Sequence, residues 1–389
     1  MVFRFSINYF VFFAAMATVV PYLQQILKMH GFSASEIGFL LGVFEVMGVF
    51  GPLLIGWFAD RIGKYRSVLL VLTLGAGLSF FLFIFDIGFI GTVFVLIFFG
   101  MMYRPIASLT DALASRTLSD VVKQYGQARI WGSIGYVGIS FFYQIWGFLD
   151  SSSSYRIVIV FTVIMGILFI SNLSLPQIPI INSSGDTKDK VFGDGKTKIL
   201  TTVFSLPAVF WIGIAAAFFI KMGMSGYYSF FSIYLHDVYN LKGISGIWGL
   251  GALAEIPVVL WGSRYVVKYG VAKMILLAAV GTIIRMLLYA IVPPLPIILI
   301  GQLLHALSFG LLHVTIIVLI NNQINAKSRA LAMAIFGGIS YGLAGFIGSS
   351  LSGLILDSYG FSVMYIFCAV IIMGAVFLIA FFRKVGVII

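Results

Sequence analysis

Hydrophobic positions in this chain come in long unbroken runs, each of about twenty residues or more, separated by short polar breaks. Such runs lack the alternation of a half-buried strand and the one-sided period of a soluble helix. As helices rising about 1.5 Å per residue, they are long enough to cross a hydrocarbon layer of about 30 Å. A membrane barrel would instead show short alternating segments. The runs predict spans at 6–27, 35–59, 67–85, 89–114, 130–149 and 155–173, then at 206–234, 244–266, 271–291, 295–320, 329–354 and 361–382. The longest polar stretch, Ser183 to Lys198, divides them six and six, and its Gly, Asp, Lys and Thr content reads as a linker. The expectation is an all-α integral membrane protein: twelve transmembrane helices in two six-helix halves, 1–175 and 204–389, joined by a cytoplasmic linker at 176–203.

Composition agrees with lipid as the solvent. Hydrophobic residues make up 61% and charged residues 10%, against roughly 45–50% and about 25% in a soluble domain. The net charge of +11 does not mark a nucleic-acid binder, because the basic residues stand singly between apolar runs and form no face or tail. They mark topology instead. With the N-terminus inside, most of the 24 Lys and Arg residues fall in inner segments, and the outer loops hold only Lys28, Arg156 and Lys242. Both termini are therefore expected in the cytoplasm. Arg4, an apolar run and Ala15-Met16-Ala17 could pass for a signal peptide, but the run continues through Pro21 to Leu27 and reads as a retained first helix. Short loops suggest a bacterial inner membrane, and the single cysteine, Cys368, permits no intrachain disulfide.

The two halves repeat weakly. Gly56 to Gly63 ends span two and Tyr265 to Gly270 ends span eight, and Glu45 and Glu255 precede these ends by similar distances. Internal repeats around a midplane site are a common transporter plan. The segment Gly56-x-x-x-Asp60-Arg61-x-Gly63-Lys64-x-Arg66 resembles the signature loop of the major facilitator superfamily. Leu109 to Ala114 and Tyr125 to Ser133, the latter containing Arg129, look like the phenylpropionic-acid transporter-like branch of that superfamily. Tyr227-Tyr228-x-Phe230, Ala254-Glu255 and Gln302-Leu303-Leu304-His305 with Phe309 and His313 do so as well. The branch is similar to lactose permease and to nucleoside–proton symporters, which implies proton-coupled uptake of a small organic solute. The resemblance puts Glu255, Arg285 and His305 where lactose permease keeps substrate and proton-coupling residues. It implies a conformational latch at Gly56, Asp60, Arg61, Gly63 and Arg66, with Asp111 and Arg129 as further motif residues. Two positions depart: Ser308 stands where lactose permease has a second carboxylate, and Lys221 where the branch has an uncharged polar residue.

Charge inside a span is costly, at least about 2.5–3.5 kcal/mol per residue on the insertion scale, and is functional by default. Glu45, Arg104, Asp111, Lys221, Glu255 and Arg285 lie within spans, with His305 and His313. Glu255, amid Leu, Ala, Ile, Pro and Val, suits a proton carrier or one arm of a permanent ion pair; Glu45, His305 and His313 join it as proton-coupling candidates. Lys221, Ser225 and Tyr228 share one helical face, which suits an anionic aromatic solute unless Lys221 is paired to Glu255 or Glu45. Arg104, Arg285, Gln302 and His305 complete the substrate candidates. Arg104 and Asp111, seven apart, should stack on one face of span four, with Pro105 marking a kink. Three buried cations facing three buried acids suggest that protonating Glu255 releases a cation for an anionic substrate; a sugar or nucleoside fits if every cation stays paired.

An enzyme is not expected, since the four histidines show no metal-ligand spacing and no phosphate loop is present. A proton-driven exporter or antiporter shares this architecture, and a channel fits it less well. The expected partners are a small-molecule substrate, protons and membrane lipid, with no nucleic acid, cofactor or metal, and the chain is expected to act as a monomer.

Overall fold

A computed structural model describes residues 1–150, 152–177 and 202–386. The described residues are helical, without strands. This is what hydrocarbon demands, because only a helix satisfies every backbone N–H and C=O within its own segment. The helices are α1 Val2–Met29, α2 Ala34–Ile62, α3 Tyr65–Phe81, α4 Gly88–Tyr103, α5 Pro105–Thr117, α6 Val121–Trp146 and α7 Ser154–Leu173. They continue as α8 Ala208–Tyr239, α9 Ser245–Tyr269, α10 Val271–Ala290, α11 Leu295–Leu303, α12 Leu312–Gln323, α13 Arg329–Phe336 and α14 Ala344–Lys384. Ten helical segments among the described residues are long and apolar enough to cross a membrane. The linker expected at 176–203 lies, apart from its ends, outside the described residues.

Several span boundaries differ from expectation, each for a local reason. Span four breaks into α4 and α5 because Pro105 cannot continue the hydrogen-bond ladder behind Arg104. Helix α6 begins nine residues before the apolar run, capped by the Asp120 side chain on the Lys123 N–H. Glycine supplies the turn where L-residues are strained: Gly63 closes α2 at φ 70°, and Gly360 bends α14 at φ 80°. Two π-helical segments, Ala306–Leu311 and Gly337–Leu343, join α11 to α12 and α13 to α14.

Burial separates central from peripheral helices. The apolar windows of α1 and α8 are 78% and 61% buried, so these two helices sit between the others. The outer faces keep large apolar side chains exposed, among them Val71, Ile90, Phe94, Ile170, Val259 and Phe377. In water such a surface would aggregate; in lipid it costs nothing.

Helices α1–α7 and α8–α14 meet through α2 on α14, α6 on α9 and α1 on α8. Among the described residues, the hydrogen bonds across this meeting lie at one end, where α1 finishes and α2 begins. Lys28 pairs with Asp237. Gln24 donates to the Tyr228 carbonyl at 3.1 Å, and Gln25 to that of Ser232 at 2.7 Å. Tyr22 meets Ser245 at 3.0 Å, and the Asp357 carboxylate accepts from the Ala34 and Ser35 N–H groups at 2.8 and 2.7 Å. The helix N-terminus favours that carboxylate twice over, through its free donors and its dipole. Glycines let α2 reach α14: a Cβ at Gly38 would lie 2.3 Å from the Ser349 carbonyl oxygen, and one at Gly353 2.3 Å from that of Ala34. At the opposite end of α2, a Cβ on Gly56 would meet nothing within 4 Å.

Gly38→Ala should therefore destabilise the protein by about 1–3 kcal/mol through overpacking against backbone, although alanine is the better helix former. Hydrogen exchange should rise at the start of α2 and around Ser349. Gly56→Ala should leave that exchange unchanged and hold or raise the melting temperature; equal effects of the two substitutions would contradict the one-ended contact.

Candidate functional site

A buried polar cluster is built by α8, α9, α10, the end of α11 and His305, the residue before the first π-helical segment. Arg285 on α10 is fully buried. Its Nε donates to Tyr289 Oη at 3.1 Å, Nη2 to Gln302 Oε1 at 3.1 Å and Nη1 to His305 Nδ1 at 2.8 Å. Its guanidinium lies 3.9 Å from the centre of the Tyr227 ring. Gln302 Nε2 returns a bond to Tyr289 Oη at 3.2 Å, and Tyr227 Oη donates to Gln302 Oε1 at 3.1 Å. A guanidinium has only donors. Nδ1 of His305 must therefore accept, which puts the ring proton on Nε2, and Nε2 lies 2.7 Å from Glu255 Oε1. The geometry thus orders a neutral histidine between a fixed cation and a carboxylate. Gly251 allows α9 this close, since a Cβ there would lie 3.0 Å from Gln302 Oε1.

The partner of Glu255 is therefore His305 and not one of the three cations counted in the sequence. Arg285 is one side chain further along. Tyr227, Tyr228, Trp248 and His305 pack ring on ring beside the cluster, with Tyr228 edge-on to His305 at 6.0 Å.

Lys221 stands apart from this network. It is 4% exposed, and among the described residues its Nζ has no hydrogen-bond partner. Pairing with Glu255 or Glu45, one of the sequence alternatives, is not what the structure shows. Nζ instead lies 4.0 Å from the centre of the Phe309 ring and 4.5 Å from that of Tyr341. Ser225 on the same face spends its hydroxyl on the Lys221 carbonyl at 2.8 Å. His305, Phe309 and His313 stack in a row at 5.9 and 5.8 Å, and His313 Nδ1 meets Tyr341 Oη at 3.0 Å. The wider π turn brings residues four apart closer to eclipsed than an α-helix does.

The remaining candidates fall into three groups on α1–α6. Arg104 Nη2 donates to Glu45 Oε1 at 2.5 Å, both side chains being about one-third exposed, and the guanidinium covers the Phe44 ring at 4.1 Å. Asp111 accepts from Tyr9 Oη at 2.6 Å, and Arg129 lies over the Phe13 and Tyr9 rings at 4.4 and 5.4 Å. Arg104 thus turns to α2 and Asp111 to α1, so the two are not the stacked pair that their spacing suggested. Asp60 accepts from Tyr65 and, at 3.0 Å, from Arg116. Arg61 lies over Trp57 at 5.5 Å, Gly63 caps α2, and Arg66 is half-buried in the first turn of α3.

Tyr289 and Tyr341 escaped the sequence reading. Tyr289 follows Arg285 by four residues, a helical spacing that could have revealed it. Tyr341 meets His313 across 28 residues of chain, and no local pattern announces that contact.

Residues 2–369 match the MFS_1-like family. Over 384 residues the chain is 25% identical to YegT, a provisionally named nucleoside transporter of Escherichia coli (strain K12), covering 92% of this chain and 88% of that one. Over 311 residues it is 24% identical to a protein of the same strain provisionally named a 3-phenylpropionic acid transporter, with 79% of each covered. The crystal structure of the nucleoside transporter NupG superposes with a TM-score of 0.84 at 17% identity over 98% of both chains, and shows the same fold. The chain belongs to the MFS_1-like family and is a membrane transporter, not an enzyme.

Proposed function

We propose that this protein is a proton-coupled carrier that takes up a small organic solute by alternating access. The observation that carries the reading is the buried series Arg285–His305–Glu255, set on helices whose meeting with α1–α7 is hydrogen-bonded at one end. A carrier needs a site that can be offered to either side, and a charge whose loss changes what the site holds. Protonation of Glu255 would remove the negative charge to which His305 donates. It would turn the charge-assisted bond from Nε2 of His305 into a weaker neutral one and give Glu255 an O–H donor, so proton loading alters the polar groups available to a solute.

Under this reading Tyr228, Gln302, His305 and Arg285 face the solute from one half, and Arg104 with Glu45 from the other. The halves are 1–175 and 204–389, with 176–203 between them and twelve spans in all; α6 and the bend at Gly360 account for the two beyond the ten apolar segments. The Lys and Arg distribution supports cytoplasmic termini, and the relatives from Escherichia coli support a bacterial inner membrane. Asp60, with partners on α3 and α5, serves as the latch of the cytoplasmic end together with Gly56, Arg61, Gly63 and Arg66. Asp111 and Arg129 act with it, His313 assists coupling, and the carrier works as a monomer. The names of the relatives point to nucleosides and an aromatic acid, and sugars remain within the same chemistry.

In vesicles holding the purified protein, an inward acid gradient should drive accumulation of whichever of uridine, maltose and 3-phenylpropionate the wild type takes up. Glu255→Gln should lose that accumulation and keep exchange of preloaded solute; unchanged accumulation would remove Glu255 from coupling. Arg285→Met should leave His305 Nδ1 without its donor and Glu255 without a balancing cation, at a cost of about 3–5 kcal/mol of stability. A melting temperature equal to wild type would show that the network is not cooperative.

A further inference from the structure

Every other charged side chain in the buried clusters has a partner of opposite or complementary character. Arg104 holds Glu45, and Arg285 reaches Glu255 through His305. Lys221 alone among these has no hydrogen bond, although three N–H donors are buried with it. Glu45 and Glu255 lie within electrostatic reach, but each is already engaged. The ammonium is held only by two aromatic faces. A lysine kept for packing would be expected to share an acid, since a buried unpaired charge is the costliest arrangement open to it.

A second observation points to the same place. Phe309 belongs to the π-helical segment Ala306–Leu311 and Tyr341 to the segment Gly337–Leu343, and these are the two π-helical segments among the described residues. Each supplies one of the rings that hold Nζ. Such segments are rare insertions in α-helices, frequently found at functional sites. Here two rings from different helices converge on one cation. His313, bonded to Tyr341 and stacked on Phe309, closes the far side.

We propose that Lys221, Phe309, Tyr341 and His313 form an anion subsite, beside the Arg285–His305–Glu255 network, which takes the carboxylate of the transported solute. The carboxylate displaces the rings from Nζ and accepts its N–H donors, and the planar body of the solute lies against the aromatic row. The charge count selects a monoanion. With Arg104–Glu45 and Arg285–Glu255 balanced, one carboxylate neutralises the surplus cation, a dianion would bury a new charge, and a neutral sugar or nucleoside would leave the cation as it is. This assignment rests on the reading of the chain as a carrier and names its substrate class.

The test is thermal melting of the purified full chain with benzoate, with chloride at the same concentration, and with uridine. Benzoate should raise the melting temperature, and chloride and uridine should not. Lys221→Gln should bind benzoate at least about tenfold more weakly and melt no lower than wild type, because an unpaired buried charge has been removed. Lys221→Met should behave alike. The proposal is overturned if uridine stabilises where benzoate does not, if chloride matches benzoate, if the benzoate shift survives in both variants, or if both variants melt well below wild type. Melting needs no gradient. Gradient-driven uptake of a neutral solute without a benzoate shift sinks the anion subsite and leaves the carrier standing; a benzoate shift without any uptake does the reverse.

Discussion

Hydrocarbon offers no hydrogen bonds, so every polar group that enters it must find its partner inside the protein. The backbone meets this demand by being helical, and the side chains meet it by converging. Arg285 is the clearest case. A guanidinium with no exposure is tolerable only because Tyr289, Gln302, His305 and the Tyr227 face receive it. Those contacts join α8, α10, α11 and the entry to the first π-helical segment, and they fix the ring proton of His305 on the nitrogen that faces Glu255. One satisfied cation thus sets both packing and chemistry on that side of the molecule.

The same constraint shapes the contact between the two sets of helices. Their contact uses small residues, Gly38 against Ser349 and Gly353 against Ala34. Polar contacts join it at one end through partly exposed groups near helix ends, such as Lys28 and Asp237, and through Asp357 on the start of α2. The charged residues deeper in remain paired within their own set of helices: Arg104 with Glu45, and Arg285 and Glu255 with His305. Separation therefore need not expose an unpaired charge to lipid. Lys221 departs from this economy, held by rings where an acid would be expected.

By itself the chain determined its solvent, its helical class, the approximate spans and the residues worth suspecting. Each of these depends on local composition and on period, and the demand of lipid for long apolar helices leaves little else to decide. The kink at Pro105 was legible for the same reason, since proline acts where it stands, and charge inside a span marked Glu255 and Arg285 as candidates. Partnership was decided by the tertiary structure alone. It gave Glu255 to His305 instead of to a cation, turned Arg104 and Asp111 to different helices despite their helical spacing, brought Tyr341 to His313, and left Lys221 without an acid. These contacts join residues 28 to over 100 positions apart or depend on π turns that shift the helical register, and spacing along one helix carries no information about which neighbouring helix a side chain will face.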